Sequence, residues 1–382
     1  MIQTLDTLDQ LIAFPTVSRD SNLDIIGYIT RFLTDRGFAV HTLPDETGQK
    51  AGIFASLGPP GAGVLLSAHT DVVPVDGQVW TRDPFRLTKE GDRLYGRGTT
   101  DMKGYLASML VLADRAASAP LKEPLKLAIS YDEEVGCIGI SRMIGHLERT
   151  IGLPRACFVG EPTEMQVAIG HKGKTALRAV CHGKAGHSAL APHFLNALHL
   201  AADFIGELRA LQADLAENGA RDPAYSVPYS TVHVGKLVGG VALNIVPDMA
   251  EVTLEFRNIG ADRTANLLER IHACAAQVKS RYQTSFPDAL IEVAPFNSYP
   301  GLDTDEAAPV VALAQRLAQT NCTTKVPFGT EAGYFDALGI PTVVCGPGSM
   351  QGQGHQADEF IALSQLAQCD AMMDRLLADL CG

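Results

Sequence analysis

The run "LLSAHTDVVP" (residues 65–74) ends an apolar stretch in His69 and Asp71, an imidazole and a carboxylate two residues apart. In a strand such a pair leaves from one face. A carboxylate beside an imidazole fixes its tautomer and raises its basicity, as it does behind metal-bound histidines. Other acids stand at similar junctions: Asp101 in "GRGTTDMKG", Glu133 and Glu134 in "YDEEVG", and Glu161 in "GEPT". A late histidine, His355, follows in "GQGHQADEF". Histidine and carboxylate without thiolate suit zinc, cobalt or manganese. Two ions sharing one carboxylate activate water between them. Taken singly, each piece has a plainer reading: "DEE" as a solvated acidic turn, His355 as a structural histidine near a C-terminal helix. His41, His146, His199 and His272 read as structural, and His182, His193 and His233 as exposed. His171 in "GHKGK" stays open. No GxSxG elbow is present for a serine hydrolase. "GPPGAG" reads as a turn, since no GK[ST] follows it.

These residues need elements to position them. "LDTLDQLIAFPTV" and "NLDIIGYITRFLTDRGF" have helical spacing, the second closed by Gly37. "AGIFASLG", "GVLLSAHTD", "LKLAISYDEE" and "ACFVGEPT" read as strands, the last three ending in acids, with the helix "MKGYLASMLVLADRAASA" among them. Strands alternating with helices predict an α/β fold with a mixed, mostly parallel sheet flanked by helices, and such sheets carry sites at their carboxyl ends. From about Lys174 the texture alternates polar and apolar. The order there is strand, helix, strand, strand, helix, strand, a ferredoxin-like α+β unit. It reads as an insertion at 175–296 within a discontinuous domain of 1–174 and 297–382.

The chain of 382 residues is 46% hydrophobic and 19% charged, enough for two substantial cores. A formal net charge of −12 disfavours nucleic acid and anionic membranes as partners. No stretch approaches the roughly 18 apolar residues of a membrane span, and no secretory signal is visible. The 8 cysteines include no CxxC pair and read as reduced thiols of a cytoplasmic protein.

Taken in order, "SAHTDVVP", "GRGTTDMKG", "DEEVG", "GEPT" and "GHSA" resemble the dinuclear-zinc amidohydrolase and exopeptidase family, over essentially the whole chain. The resemblance implies a zinc-peptidase-like domain with an inserted lid that also dimerises. It implies two divalent ions, zinc or alternatively cobalt. His69, Asp101 and Glu161 would hold one ion; Asp101, Glu134 and His355 the other. Asp71 would orient His69. Glu133 would be the general base, which fits a pair in which one carboxylate is neutralised and its neighbour faces the water. It also implies a cis peptide at Asp101–Met102. His187 of "GKAGHSA" would stabilise the oxyanion from the partner subunit of a homodimer. Asn244 in "LNIVPD" and Arg257 in "EFRNI" would hold the substrate carboxylate.

The tail "FGTEAGYFDALGIPTVVCGPGSMQGQGHQADEF" resembles the deacetylase branch of that family, where a desuccinylase would show "GTSD". The implied reaction is hydrolysis of an N-acyl amino acid, N2-acetyl-L-ornithine to acetate and L-ornithine. Glu331 would select the cationic side chain, or be a loop acid paired locally. The alternatives are another N-acyl-amino-acid amidohydrolase such as a succinyl-diaminopimelate desuccinylase, a metallo-dipeptidase, or a non-catalytic binding protein on the same scaffold. The last should have lost Glu133 or a ligand, and none is missing.

Overall fold

The computed structural model describes residues 3–382. They form two compact units: one runs to His171 and resumes at Leu302 through Gly382, the other is Lys172–Gly301. Expected after 174 and before 297, the junctions fall at His171/Lys172 and Gly301/Leu302.

The first unit is built on a nine-stranded sheet. Strands β1 (Ala39–Pro44), β2 (Ala51–Leu57), β3 (Val64–His69), β4 (Leu125–Ser130), β5 (Ala156–Pro162) and β6 (Val167–His171) precede the insertion. After it come β11 (Leu302–Asp303), β12 (Thr323–Val326) and β13 (Thr342–Gly346). The spatial order is β1-β2-β4-β3-β5-β13-β6-β11, with β12 beside β6. At the centre, β4, β3, β5 and β13 run parallel. Every residue of β3, β4 and β5 is buried, so their sequences read as unbroken apolar runs rather than alternating ones. Lys126 in β4 is a charged residue within such a run. Its ammonium donates to the carbonyls of Gly152 and Leu153 at 3.0 and 3.3 Å.

Helices α1 (Thr4–Ile12), α2 (Leu23–Thr34), α3 (Gly104–Ala116), α6 (Pro309–Ala318) and α7 (Leu363–Cys381) complete this unit's core. Residues Gly104–Leu112 of α3 are all buried, which suits a helix packed against both α1 and α7. Tyr105 of α3 lies flat against Gly160 of β5, where an added Cβ would come within 2.0 Å of its ring. Gly160→Ala should therefore destabilise the protein by about 1–3 kcal/mol, the usual cost of overpacking. A denaturation midpoint equal to that of the wild type would show that the ring gives way freely.

The inserted unit alternates as expected. Its strands are β7 (Gly173–His182), β8 (Thr231–Gly239), β9 (Met249–Asn258) and β10 (Leu290–Tyr299), and its helices are α4 (Ala197–Asn218) and α5 (Thr264–Tyr282). The sheet order is β8-β9-β7-β10, all antiparallel. In β9, Ala250, Val252, Leu254 and Phe256 are buried while the residues between them are more open, the period of a sheet with one covered face. The cover is α4, whose Leu200, Phe204, Leu208, Leu211 and Leu215 form a stripe at helical spacing. β8 is an edge strand, and Leu237 and Val238 on it are exposed. Among the described residues all eight cysteines are free, and no helix is long and apolar enough to cross a membrane.

Candidate metal centre

β3 ends at His69, directly opposite Ser130 of β4, and the β3/β5 register continues to bring Glu161 level with it. The carboxyl ends of three adjacent parallel strands thus supply His69, the "DEE" turn after β4, and Glu161. The fourth contribution is the turn Thr99–Lys103 ahead of α3. Gly98 enters that turn at φ +86°, and an added Cβ would lie 2.8 Å from a Val72 methyl, so only glycine fits there. The Asp101–Met102 peptide is cis, as the resemblance implied.

The side chains converge. His69 Nε2 lies 3.2 Å from Asp101 Oδ1 and 3.7 Å from Glu161 Oε1. His355 Nε2 lies 3.1 Å from Asp101 Oδ2 and 3.0 Å from Glu134 Oε2. Asp101 therefore turns one oxygen toward each histidine. Donor atoms of His69, Asp101 and Glu134 lie within 4.8 Å of one another, and so do those of His69, Glu133 and Glu161. All these residues belong to the first unit.

Asp71 does more than a strand-face partner would. It sits in the loop beyond β3, and His69 Nδ1 is 2.9 Å from its carbonyl and 3.4 Å from its carboxylate. That carboxylate also accepts from Ser18 Oγ at 2.7 Å and from the amides of Glu133 and Glu134 at 3.0 and 3.3 Å. One buried acid thus orients the first histidine and the backbone of both turn glutamates. Cys137 Sγ, 3.4 Å away, donates to Glu133 Oε1. Neither Ser18 nor Cys137 stood out in the sequence.

The electrostatics describe a cation site. Asp71, Asp101, Glu133, Glu134 and Glu161 gather around the imidazoles of His69 and His355. Burial, reinforced by the Asp101 charge, pushes Glu134 up to about 7 and Glu161 well above its ordinary value. Burial likewise pushes Glu133 well up. Burial opposes a charge on His69, but Asp101, Asp71 and Glu161 outweigh it and hold its pKa well above the usual value. His355, bonded to Asp101 and Glu134, is raised to about 10. Glu134 Oε1 and Glu161 Oε1 are buried with no hydrogen-bond partner. Buried anionic oxygens without donors are costly, and divalent cations bound by carboxylate and imidazole satisfy them. The residues fit the metal pair that the resemblance implied.

The family's sequence profile, peptidase family M20/M25/M40, matches residues 65–379, and so spans every one of these candidate ligands. The chain belongs to peptidase family M20/M25/M40. Acetylornithine deacetylase of Proteus mirabilis is 32% identical over 97% of this chain and 95% of its own length. That of Myxococcus xanthus is 34% identical over 98% and 97%. Among solved structures, an M20-family metallo-carboxypeptidase of Sulfolobus solfataricus superposes with a TM-score of 0.77 over 100% of both chains, at 19% identity. This M20 chain is a metal-dependent hydrolase.

The remaining candidates are His187, Asn244, Arg257 and Glu331. His187 and Asn244 come together inside the inserted unit: His187 pairs with Ile245 in a short two-stranded ladder, and Ser188 N donates to the Asn244 carbonyl at 3.0 Å. Arg257 on β9 donates from Nε to Glu255 at 2.9 Å. Glu331 belongs to the first unit and lies within electrostatic reach of His69 and Glu133. Expected as a contact for a substrate side chain, it is only 1% exposed, accepts from Ser67 Oγ at 3.2 Å, and is pushed by burial to about 7.

Proposed function

We propose that this M20 hydrolase cleaves the amide bond of an N-acyl amino acid with two divalent ions, and that its substrate is N2-acetyl-L-ornithine. The observation that carries the two-ion reading is Asp101, whose Oδ1 and Oδ2 face different ligand sets at 3.2 and 3.1 Å. A bridging carboxylate has that disposition. In this reading His69, Asp101 and Glu161 hold one ion, and Asp101, Glu134 and His355 the other, with zinc as the metal and cobalt a substitute. When bound, the ions acidify water and polarise the scissile carbonyl. Glu133 accepts the proton of the attacking water and later gives it to the departing amine, so water adds across the amide and no net proton is consumed. Asp71 holds His69 and the Glu133 amide still. His187 stabilises the developing oxyanion, and Asn244 and Arg257 bind the substrate carboxylate.

The substrate assignment is supported by relatives of that name at 32–34% identity over nearly the full length and by the "GTEAG" and "GPGS" segments. Under this reading the product ornithine feeds arginine synthesis in the cytoplasm. The inserted unit pairs with a second copy along the edge of β8 and the turn that follows it, where Leu237 and Val238 on the strand and Val241 and Leu243 beyond it are exposed. Purified protein loaded with zinc or cobalt is assayed against N2-acetyl-L-ornithine, N-succinyl-diaminopimelate, N-acetyl-methionine and a dipeptide. The expected result is a kcat/KM for acetylornithine at least about tenfold above the rest. A dipeptide or the succinyl compound turning over fastest overturns the substrate, while leaving the hydrolase intact.

A further inference from the structure

Arg97 and Glu359 are each 1% exposed and paired at 2.6 Å. Neither faces the ligand cluster. Glu359 Oε1 accepts from the amides of Gly98, Thr100 and Asp101 at 3.1, 2.9 and 3.2 Å. Its backbone carbonyl accepts from Gly96 N at 2.9 Å, and Thr100 Oγ1 donates to the Phe360 carbonyl at 2.7 Å. The guanidinium works on the other loop. Arg97 donates to the Gln356 carbonyl at 3.3 Å and to Gln78 Oε1 at 2.6 Å, and Gln78 Nε2 donates to the His355 carbonyl at 2.9 Å. Each end of this buried pair thus grips a segment that carries a ligand.

The two sets of ligands differ in how they are held. His69 and Glu161 stand at the ends of the adjacent strands β3 and β5, fixed by the sheet itself. Asp101 and His355 stand on irregular turns 254 residues apart in sequence. The nine-stranded sheet does not set their separation; a short ladder of Phe360–Ala362 on Arg93–Tyr95 runs between the two segments, five residues or more from either ligand. The backbone under Asp101 hangs on Glu359, and the backbone at His355 hangs on Arg97 directly and through Gln78. A buried pair used only for stability is replaceable by apolar side chains of similar volume. One that supplies three acceptor contacts to a ligand-bearing turn is not.

We propose that Arg97, Glu359 and Gln78 form a positioning device that sets the affinity of the second metal position, the one made by Asp101, Glu134 and His355. The proposal rests on the two-ion reading above. Its test is titration of the metal-free protein with Co2+, followed by calorimetry and by visible absorption, with thermal unfolding recorded alongside. Wild type should take up two ions in two steps. Glu359→Gln and Arg97→Met should weaken the second step by about 10–100-fold, the usual effect of removing groups that hold ligands in place, with the first step, which shares Asp101 but keeps His69 and Glu161 on the sheet, weakened less. Gln78→Ala removes no buried charge, so it keeps the test open if the others fail to fold. It should shift the second step in the same direction by less. Asp114→Asn breaks the Arg36–Asp114 pair, which touches no ligand segment, and should lower thermal stability without moving either step. If the variants lose stability while both steps stay put or fall equally, the device is merely structural and the proposal is overturned. A wild type that binds a single ion overturns the two-ion reading and this inference with it.

Discussion

Glu133→Gln should lower kcat by about 10²–10⁴-fold, the range for removing a positioned proton acceptor, while both ions remain bound. The amide has nearly the shape of the carboxylate and still accepts from Cys137 Sγ, now 3.4 Å from Glu133 Oε1. What it cannot do is take a proton from water. The backbone is unaffected, because the Glu133 amide is anchored on Asp71 at 3.0 Å whatever the side chain. The competing assignment is specific: donor atoms of His69, Glu133 and Glu161 also lie within 4.8 Å of one another, a set in which Glu133 is a ligand. The two readings separate on metal content. If Glu133→Gln loses an ion and regains turnover once metal is supplied in excess, Glu133 and Glu134 exchange roles. If the ions stay and turnover does not return, Glu133 is the base.

The parts of this site visible in the sequence are those attached to regular elements. β3, β4 and β5 announce themselves as short apolar runs because parallel central strands are buried on both faces. The polar residue closing each run then marks the edge of the sheet where sites form. The inserted unit was legible for a different reason: a sheet with one covered face writes period two, and α4 and α5 write their own period. What escaped belongs to contacts without any period. Arg97 and Glu359 are far apart in the chain, and a lone arginine in "GRG" looks like any surface cation. Buried pairing is a property of the fold alone. Ser18 and Cys137 escaped similarly, each meeting an acid through a turn.

Glu331 shows what a loop motif leaves unsaid about burial. "GTEAG" reads as an open loop because of its glycines, yet a short helix, Ala332–Ala337, starts immediately after it and carries Ala332 and Phe335 into the core. The acid is buried with them and accepts from Ser67 Oγ. The π-type turn Thr99–Lys103 is a milder case. The apolar periodicity from Met102 onward predicted a helix from that point, but α3 begins at Gly104. The turn ahead of it is committed to aiming Asp101.

Mixing two inactive variants, His187→Ala and Glu133→Ala, should restore activity. His187 lies in the inserted unit and every proposed metal ligand lies in the other. Its ring accepts a single local bond, from Ala189 N at 3.1 Å. A histidine so lightly held is available to a substrate brought to it, within its own chain or across a pair. The exposed apolar residues along β8 favour a pair, since edge strands of this kind seek partners. In a mixed dimer, the chain that keeps Glu133 receives its histidine from the chain that keeps His187, and that site is whole. The opposite site lacks both groups. Random exchange at equal concentrations makes about half the dimers mixed, each with one working site of two, so about a quarter of wild-type turnover should return. Each variant alone should stay at its own low level. Subunit exchange is checked separately with differently tagged chains. If exchange occurs and turnover does not rise, His187 serves its own chain or none. If turnover rises to about a quarter, the active site of this hydrolase is completed by its neighbour.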